Sequence, residues 1–208
     1  MNLSLNEIEA TAKRAARGAG YPWGLAEEAS KATRWLCFRG FDGMAALAVL
    51  LDQGLAVSED HRPLTTDKIW RGEADLCPLA TGAFLSDCAQ RLRAQTLEIQ
   101  QVSVPLLIVP FAANAASALK CCVRIEIDGH VGVTDGNSLL CPDTLPERAE
   151  RIRVLRAETT ASWQPRHALV SPDPDSWNRL TMLAHRTYAP ATEESRLRGA
   201  GAGLSDND

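Results

Sequence analysis

The stretch LEIQQVSVPLLIVPFAANAASALKCCVRIEIDGHVGV, residues 97–133, decides the fold class. Residues 97–102 alternate in polarity, the pattern of a strand with one buried face. VPLLIV, residues 104–109, is a continuous apolar run and predicts a strand buried on both faces of a sheet. The alanine-rich segment 112–119 predicts a compact helix, and residues 121–127, with the alternating CVRIEI, predict the next strand, so the order is a βαβ-like step. Asp128 and Gly129, followed by HVGV, form a hairpin signal because both residue types tolerate the positive φ of a tight turn.

Upstream the periodicity is helical. Ser4 and Glu7 stand three apart as a capping box, which starts a first helix at Leu5 that Gly18 and Gly20 stop. Pro22 suits the first turn of a second helix from Trp23 to about Gly40, and Asp42 caps a third that Gly54 ends. Residues 55–78 show no period and predict a surface connection with limited structure, and a further helix follows over residues 81–93. Downstream, residues 151–157 predict a strand, with the preceding PERAER also readable as a helix start. Residues 166–170 predict a short strand, and residues 175–188 a helix with Trp177, Leu180, Leu183 and Ala184 inward. Thr192 caps a short turn through Arg198, and Gly199, Gly201 and Gly203 free the chain after it. The expected fold is α+β: one domain over residues 1–198, with an N-terminal helical layer (1–54), a central mixed sheet of about four to six strands, and a C-terminal helix returning to pack against it. A Gly-rich acidic tail, 199–208, completes the chain.

Composition excludes several functions. Net charge is −4 with no block of Lys or Arg, so a nucleic-acid backbone finds no electrostatic footprint. No run approaches the roughly 18 apolar residues of a membrane helix, and the first residues lack a signal-peptide pattern, so a cytoplasmic protein without membrane association is expected. The six cysteines then read as reduced packing residues. Cys77 and Cys141, each followed by Pro, are the two positions where a nucleophilic thiol is conceivable. His61, His130, His167 and His185 fall on different elements without metal-ligand spacing, and no glycine loop joins a strand to a helix as a phosphate cradle would. No metal and no cofactor are expected.

Two stretches carry the candidate chemistry. Residues 186–208, RTYAPATEESRLRGAGAGLSDND, gather Arg186, Tyr188, Glu193, Glu194 and Arg196 around a proline, and Arg is suited to grip a carboxylate with two parallel N–H donors. Taken singly, these side chains are also what a capped, solvated helix end would carry. GYPWG, residues 20–24, offers Trp23 either as a packed corner or as a rigid aromatic wall for a ligand. The leading expectation is a small polar or anionic metabolite bound between these stretches, with or without catalysis. The alternative is a non-catalytic accessory or structural subunit whose tail docks on a protein partner or on a second copy in a homo-oligomer.

The segments LNEIEATAKRAARGAGYPWGLAEEA (5–29), CPLATGAFLSD (77–87) and 186–208 give the chain its family likeness. It resembles an uncharacterised bacterial family, domain of unknown function 3726, a resemblance that implies no reaction, cofactor or catalytic residue.

Overall fold

The capping box forms as the spacing dictates: the Ser4 backbone N–H donates to Glu7 Oε2 at 2.8 Å and the Glu7 N–H donates to Ser4 Oγ at 3.3 Å. Helix α1 (Leu5–Gly18) starts there and buries Ile8, Ala12, Ala15 and Ala16 along one stripe. The computed structural model describes residues 2–64, 67–158 and 169–188. Helix α2 (Trp23–Phe38) follows the Pro22 N-cap, and α3 (Gly43–Asp52) begins where the Asp42 carboxylate accepts the Ala45 N–H at 2.9 Å. Gly20, Gly40 and Gly54 follow these helices at positive φ (102°, 84° and 69°), the conformation that ends a helix without steric cost.

The main sheet has six strands in the order β2 (Ile69–Trp70), β3 (Leu97–Ser103), β7 (Arg148–Ala157), β4 (Cys122–Ile127), β5 (His130–Thr134) and β6 (Leu139–Leu140). Among the described residues only β2 and β3 run parallel as neighbouring strands, so the sheet is mixed and the fold is α+β. Both β3 and β4 pair antiparallel with β7, which makes them parallel to each other with one strand between. The βαβ-like step is therefore split by β7. The β4–β5 hairpin turns at Asp128 and Gly129, with φ of 44° and 88°, and the Asp128 carboxylate accepts the backbone N–H groups of Glu150 and Arg151 at 2.8 and 2.9 Å, tying the turn to β7. A second pair joins β1 (Leu3–Ser4) to β8 (Leu169–Val170). Helices α4 (Pro78–Asp87) and α5 (Val109–Leu119) pack together, and α5 also lies on β4 and β5; α2 packs on both of them and connects them to the remaining helices.

Four expectations need correction. VPLLIV is not a strand: Val104 takes φ 43°, and residues Pro105–Ile108 form a 3-10 turn that runs straight into α5. Continuous apolar runs are buried equally well as helix, and Pro105 lacks the N–H a central strand must donate. The segment 55–78 is not merely a surface connection. Trp70 is fully buried, its ring 4.7 Å from that of Phe84 and its Nε1 donating to Asp67 O at 2.9 Å, while Leu76 is buried beside it in sequence reach of β3 through a bridge to Val102. Arg148 holds this segment to β7 by donating to both Asp75 carboxylate oxygens, at 2.6 and 2.9 Å. The helix expected over 81–93 starts earlier, at Pro78, where a missing N–H costs nothing, and gives way to a 3-10 turn over Ala89–Arg93. The C-terminal helix α6 (Pro174–His185) has α1 and α3 as its main neighbours rather than the sheet.

Close approach makes one glycine indispensable to this layering. A Cβ on Gly82 of α4 would stand 2.1 Å from Cδ2 of the buried Phe111 on α5. Gly82→Ala gains about 1 kcal/mol of helix propensity but forces the ring to move, at about 1–3 kcal/mol or more. The expected outcome is a lower melting temperature by calorimetry, with Phe111→Leu in the Gly82→Ala background recovering part of the loss.

Candidate functional site

Small residues on α1 bring two distant parts of the chain to one place. Gly18 lets the end of α6 lie against α1, since a Cβ there would meet Leu183 O at 1.9 Å and the Arg186 Cβ at 3.3 Å. Arg186 is the C-cap of α6, and its N–H donates to Leu183 O at 3.1 Å. Two residues on, Tyr188 is half exposed and accepts at its hydroxyl from Arg14 Nη1 at 2.7 Å. The His185 ring meets the Tyr188 ring edge-on at 5.2 Å between centroids.

Arg17 sits one turn beyond Arg14 on α1. Its Nη1 donates to Tyr21 O at 2.5 Å, and its guanidinium lies 4.6 Å from the Trp23 ring centroid. Trp23 is 62% exposed, so the corner GYPWG packs Tyr21 inward and presents Trp23 outward. Pro22, the N-cap of α2, has no side-chain acceptor to offer, so the positive end of that helix opens beside Trp23. Trp23, Arg186 and Tyr188 thus lie around the C-terminal half of α1, joined through Arg14, Arg17 and Gly18. Glu193, Glu194 and Arg196 lie outside the described residues. Sequence reasoning missed Arg14 and Arg17. Their spacing of three was visible, but the partner of Arg14 is fixed only by the docking of α6, 174 positions away at Tyr188, and those of Arg17, Tyr21 and Trp23, by how the chain turns from α1 into α2.

Cys77 is the N-cap of α4, and its Sγ lies 3.3 Å from the Tyr21 hydroxyl. Burial raises the thiol's pKa, against the lowering effect of that hydroxyl, the backbone N–H groups of Ala80 and Leu79, and the Arg62 charge. Burial pushes Cys141 up to about 11, with Asp143 adding to the effect, and pushes Cys37 up to about 11 as well. Tyr21 is held well above the usual phenol range by burial and by Cys77. All six cysteines are free thiols in this structure; Cys88, Cys121 and Cys122 are partly exposed. The described histidines lie apart: His61 Nδ1 is 2.7 Å from Asp75 O, His130 Nδ1 is 3.1 Å from Ile127 O, and His185 is beside Tyr188; His167 lies outside the described residues. Among the described residues no three His, Cys, Asp or Glu side chains gather as metal ligands, and no helix is long and apolar enough to cross a membrane.

Residues 3–81 match the family described as "Protein of unknown function (DUF3726)", to which the chain is similar over α1, α2, α3 and the first residues of α4. The matched span contains the GYPWG corner, Arg14 and Arg17, and stops well before Arg186 and Tyr188. No curated protein and no solved structure matches the chain.

The thiol environments set a pH dependence. Cys37 and Cys141 have folded pKa values raised from 9.0 to about 11, so the stability gained by keeping them neutral is complete below 9.0 and lost as pH rises toward 11. The melting temperature is expected to fall across that window, and to fall less in the C37A/C141A double variant. Native-state alkylation at about pH 8 should reach Cys88, Cys121 and Cys122 before Cys37, Cys77 and Cys141, read by peptide mass spectrometry; rapid selective labelling of Cys77 would instead identify a reactive thiol.

Proposed function

We propose that this chain binds a small polar or anionic metabolite at the surface shared by the GYPWG corner and the end of α6. The observation that carries the reading is that Arg14 and Arg17, one helical turn apart, each engage an exposed aromatic ring, Tyr188 and Trp23 respectively. Rings that hold the guanidinium groups in place reduce the entropy lost when a carboxylate or phosphate docks on them, and the flat faces offer contact to the body of a ligand. Arg186 adds a third cation beside Gly18. Glu193, Glu194 and Arg196 belong to the proposed site through their position immediately downstream. The reading treats residues 1–198 as one domain of a cytoplasmic protein and 199–208 as its tail.

A metabolite screen by thermal shift tests it. A ligand at 100 times its Kd stabilises the fold by about 2.7 kcal/mol. That stabilisation should fall sharply in R17A and in the R186A/R196A double variant, and an unchanged shift in the double variant would remove the proposal.

A second reading has its own support. Trp23, Tyr188 and Met182 are each more than half exposed, and Trp, Tyr and Arg are the residues in which protein interfaces concentrate binding energy. In this reading the chain is a non-catalytic subunit that docks, with residues 199–208, on a protein partner or a second copy. Light scattering of a chain ending at Arg198 is expected to show a smaller assembly than the full chain; the same mass for both would count against it.

A further inference from the structure

A groove of about 640 Å³ is lined by the end of β3, by residues 73–75 that flank β3 on one side, and by the start of β7, its neighbour on the other. Two backbone positions here are strained. Gln101 and Val104 take φ of 54° and 43°, a left-handed conformation that non-glycine residues adopt at a cost. Hydrogen bonds hold them in it: the Leu76 N–H donates to Gln101 O at 2.6 Å, the Ser103 N–H to Leu76 O at 3.1 Å, and the Val104 N–H to Glu147 O at 2.8 Å. Ser103, fixed between the two, is only 5% exposed. It stands opposite Arg148 in the β3–β7 register, so both side chains lie on the face that the groove occupies. The Ser103 hydroxyl has no hydrogen-bond partner among the described residues. A hydroxyl so little exposed is normally bonded, and the groove is where a partner can enter.

The lining is acidic. Arg148 reaches across β3 to Asp75, donating to both carboxylate oxygens at 2.6 and 2.9 Å, and it also donates to Glu150. Its charge is thus already shared by two carboxylates. Glu73 and Glu147 border the groove with no cation paired to them among the described residues. With His61 neutral, three carboxylates against one guanidinium leave the lining with two negative charges. Arg62, next to His61 in the chain, is paired to Glu59 at 2.7 Å and does not offset them. His61 supplies a neutral acceptor: its Nδ1 lies 2.7 Å from Asp75 O, which can only accept, so the ring hydrogen is on Nδ1 and Nε2 keeps its lone pair. Among the described residues these acids and His61 do not converge as metal ligands, so their spacing suits a ligand longer than a metal ion.

We infer that this groove binds a small aliphatic diamine or polyamine: its ammonium groups on Glu73 and Glu147, its N–H donors toward Ser103 Oγ and His61 Nε2, and its methylenes against Leu55. The volume is in the range of small-molecule sites. A hydrogen bond from an ammonium to a carboxylate is charge-assisted and stronger than a neutral one, and a single ammonium would leave one of the two unpaired carboxylates unanswered. The groove shares no residue with the Trp23–Tyr188 surface, so either proposal stands or falls without the other.

The test is calorimetric titration of the full chain, at one low ionic strength, with putrescine, cadaverine and spermidine, and in parallel with n-butylamine, Mg2+ and Ca2+. At least one of the three polyvalent amines is expected to bind at millimolar concentration or better. The metal ions, and n-butylamine, which brings one ammonium as a lysine side chain would, should bind about tenfold more weakly or worse. Glu73→Gln combined with Glu147→Gln, both at exposed positions, should weaken amine binding about tenfold or more while the ligand-free melting temperature stays near that of the parent. Ser103→Ala removes the buried acceptor and should weaken it about threefold or more. Asp143→Asn removes an exposed charge outside the lining and should leave binding unchanged. Lack of binding by all three amines, n-butylamine or metal binding as tight as theirs, or binding that persists unchanged in E73Q/E147Q or in S103A would each overturn the inference. The same loss in D143N would also overturn it, by showing general attraction to an acidic chain.

Discussion

Antiparallel pairing of β7 with both β3 and β4 is the constraint on which the rest of the structure depends. The ten residues of β7 place Ala149, Ile152 and Val154 on the buried face, in register with Val102, Ile99 and Leu97 of β3 on one side, while Ile152 and Val154 face Ile127 and Ile125 of β4 on the other. The opposite face carries Arg153 and Arg124, both within 2.8 Å of the Glu126 carboxylate, so polarity alternates across the sheet. Because β7 occupies the position beside β3, the chain leaving β3 must cross over it to reach β4. That crossover is α5, and its packing on β4 and β5 provides the surface against which α4 and then α2 settle.

The outer helices are assembled with small residues. Ala12, Ala15, Ala16 and Gly18 on α1, and Ala26, Ala29 and Ala32 on α2, are buried or, for Gly18, in backbone contact with α6. Short side chains let helix axes approach closely, which brings the longer side chains of the polar face near residues of neighbouring helices. Arg14 and Arg17 are on that face of α1, and their reach to Tyr188 and Trp23 follows from the tight fit of α6 and α2 to either side. The placing of Arg14, Arg17, Trp23 and Tyr188 together is thus a by-product of alanine and glycine packing beneath them. At the other end of α2 the helix stops at its C-cap Arg39, which is buried.

Local chemistry made much of the fold legible. The Ser4–Glu7 box, the Asp42 cap and the glycines closing the first three helices act on backbone groups within a few residues, and the Asp128–Gly129 turn shows itself through the positive φ of two adjacent residues, so their signals are contained in short windows. The misread elements depend on partners far away. VPLLIV has the composition of a buried strand or a buried helix, and the place a strand would fill was taken by residues 148–157, some forty positions later. The segment around Trp70 shows no period of its own because the Phe84 ring and the β3 strand that Trp70 meets lie outside its window.

The same division runs through the candidate sites. Residue types such as Trp23, Arg186 and Tyr188 could be singled out from the sequence, because exposed aromatics and arginines beside helix ends carry recognisable chemistry wherever they fall. Helix starts, helix stops, strand polarity and the α+β class were likewise set by the order of residues, since each rests on interactions within about one turn or one hairpin. That Arg14 meets Tyr188, where β7 inserts, and that Arg39 is buried were decided by long-range packing. Burial and charge pairing depend on what the rest of the chain brings alongside a residue, and a linear pattern does not contain that neighbour.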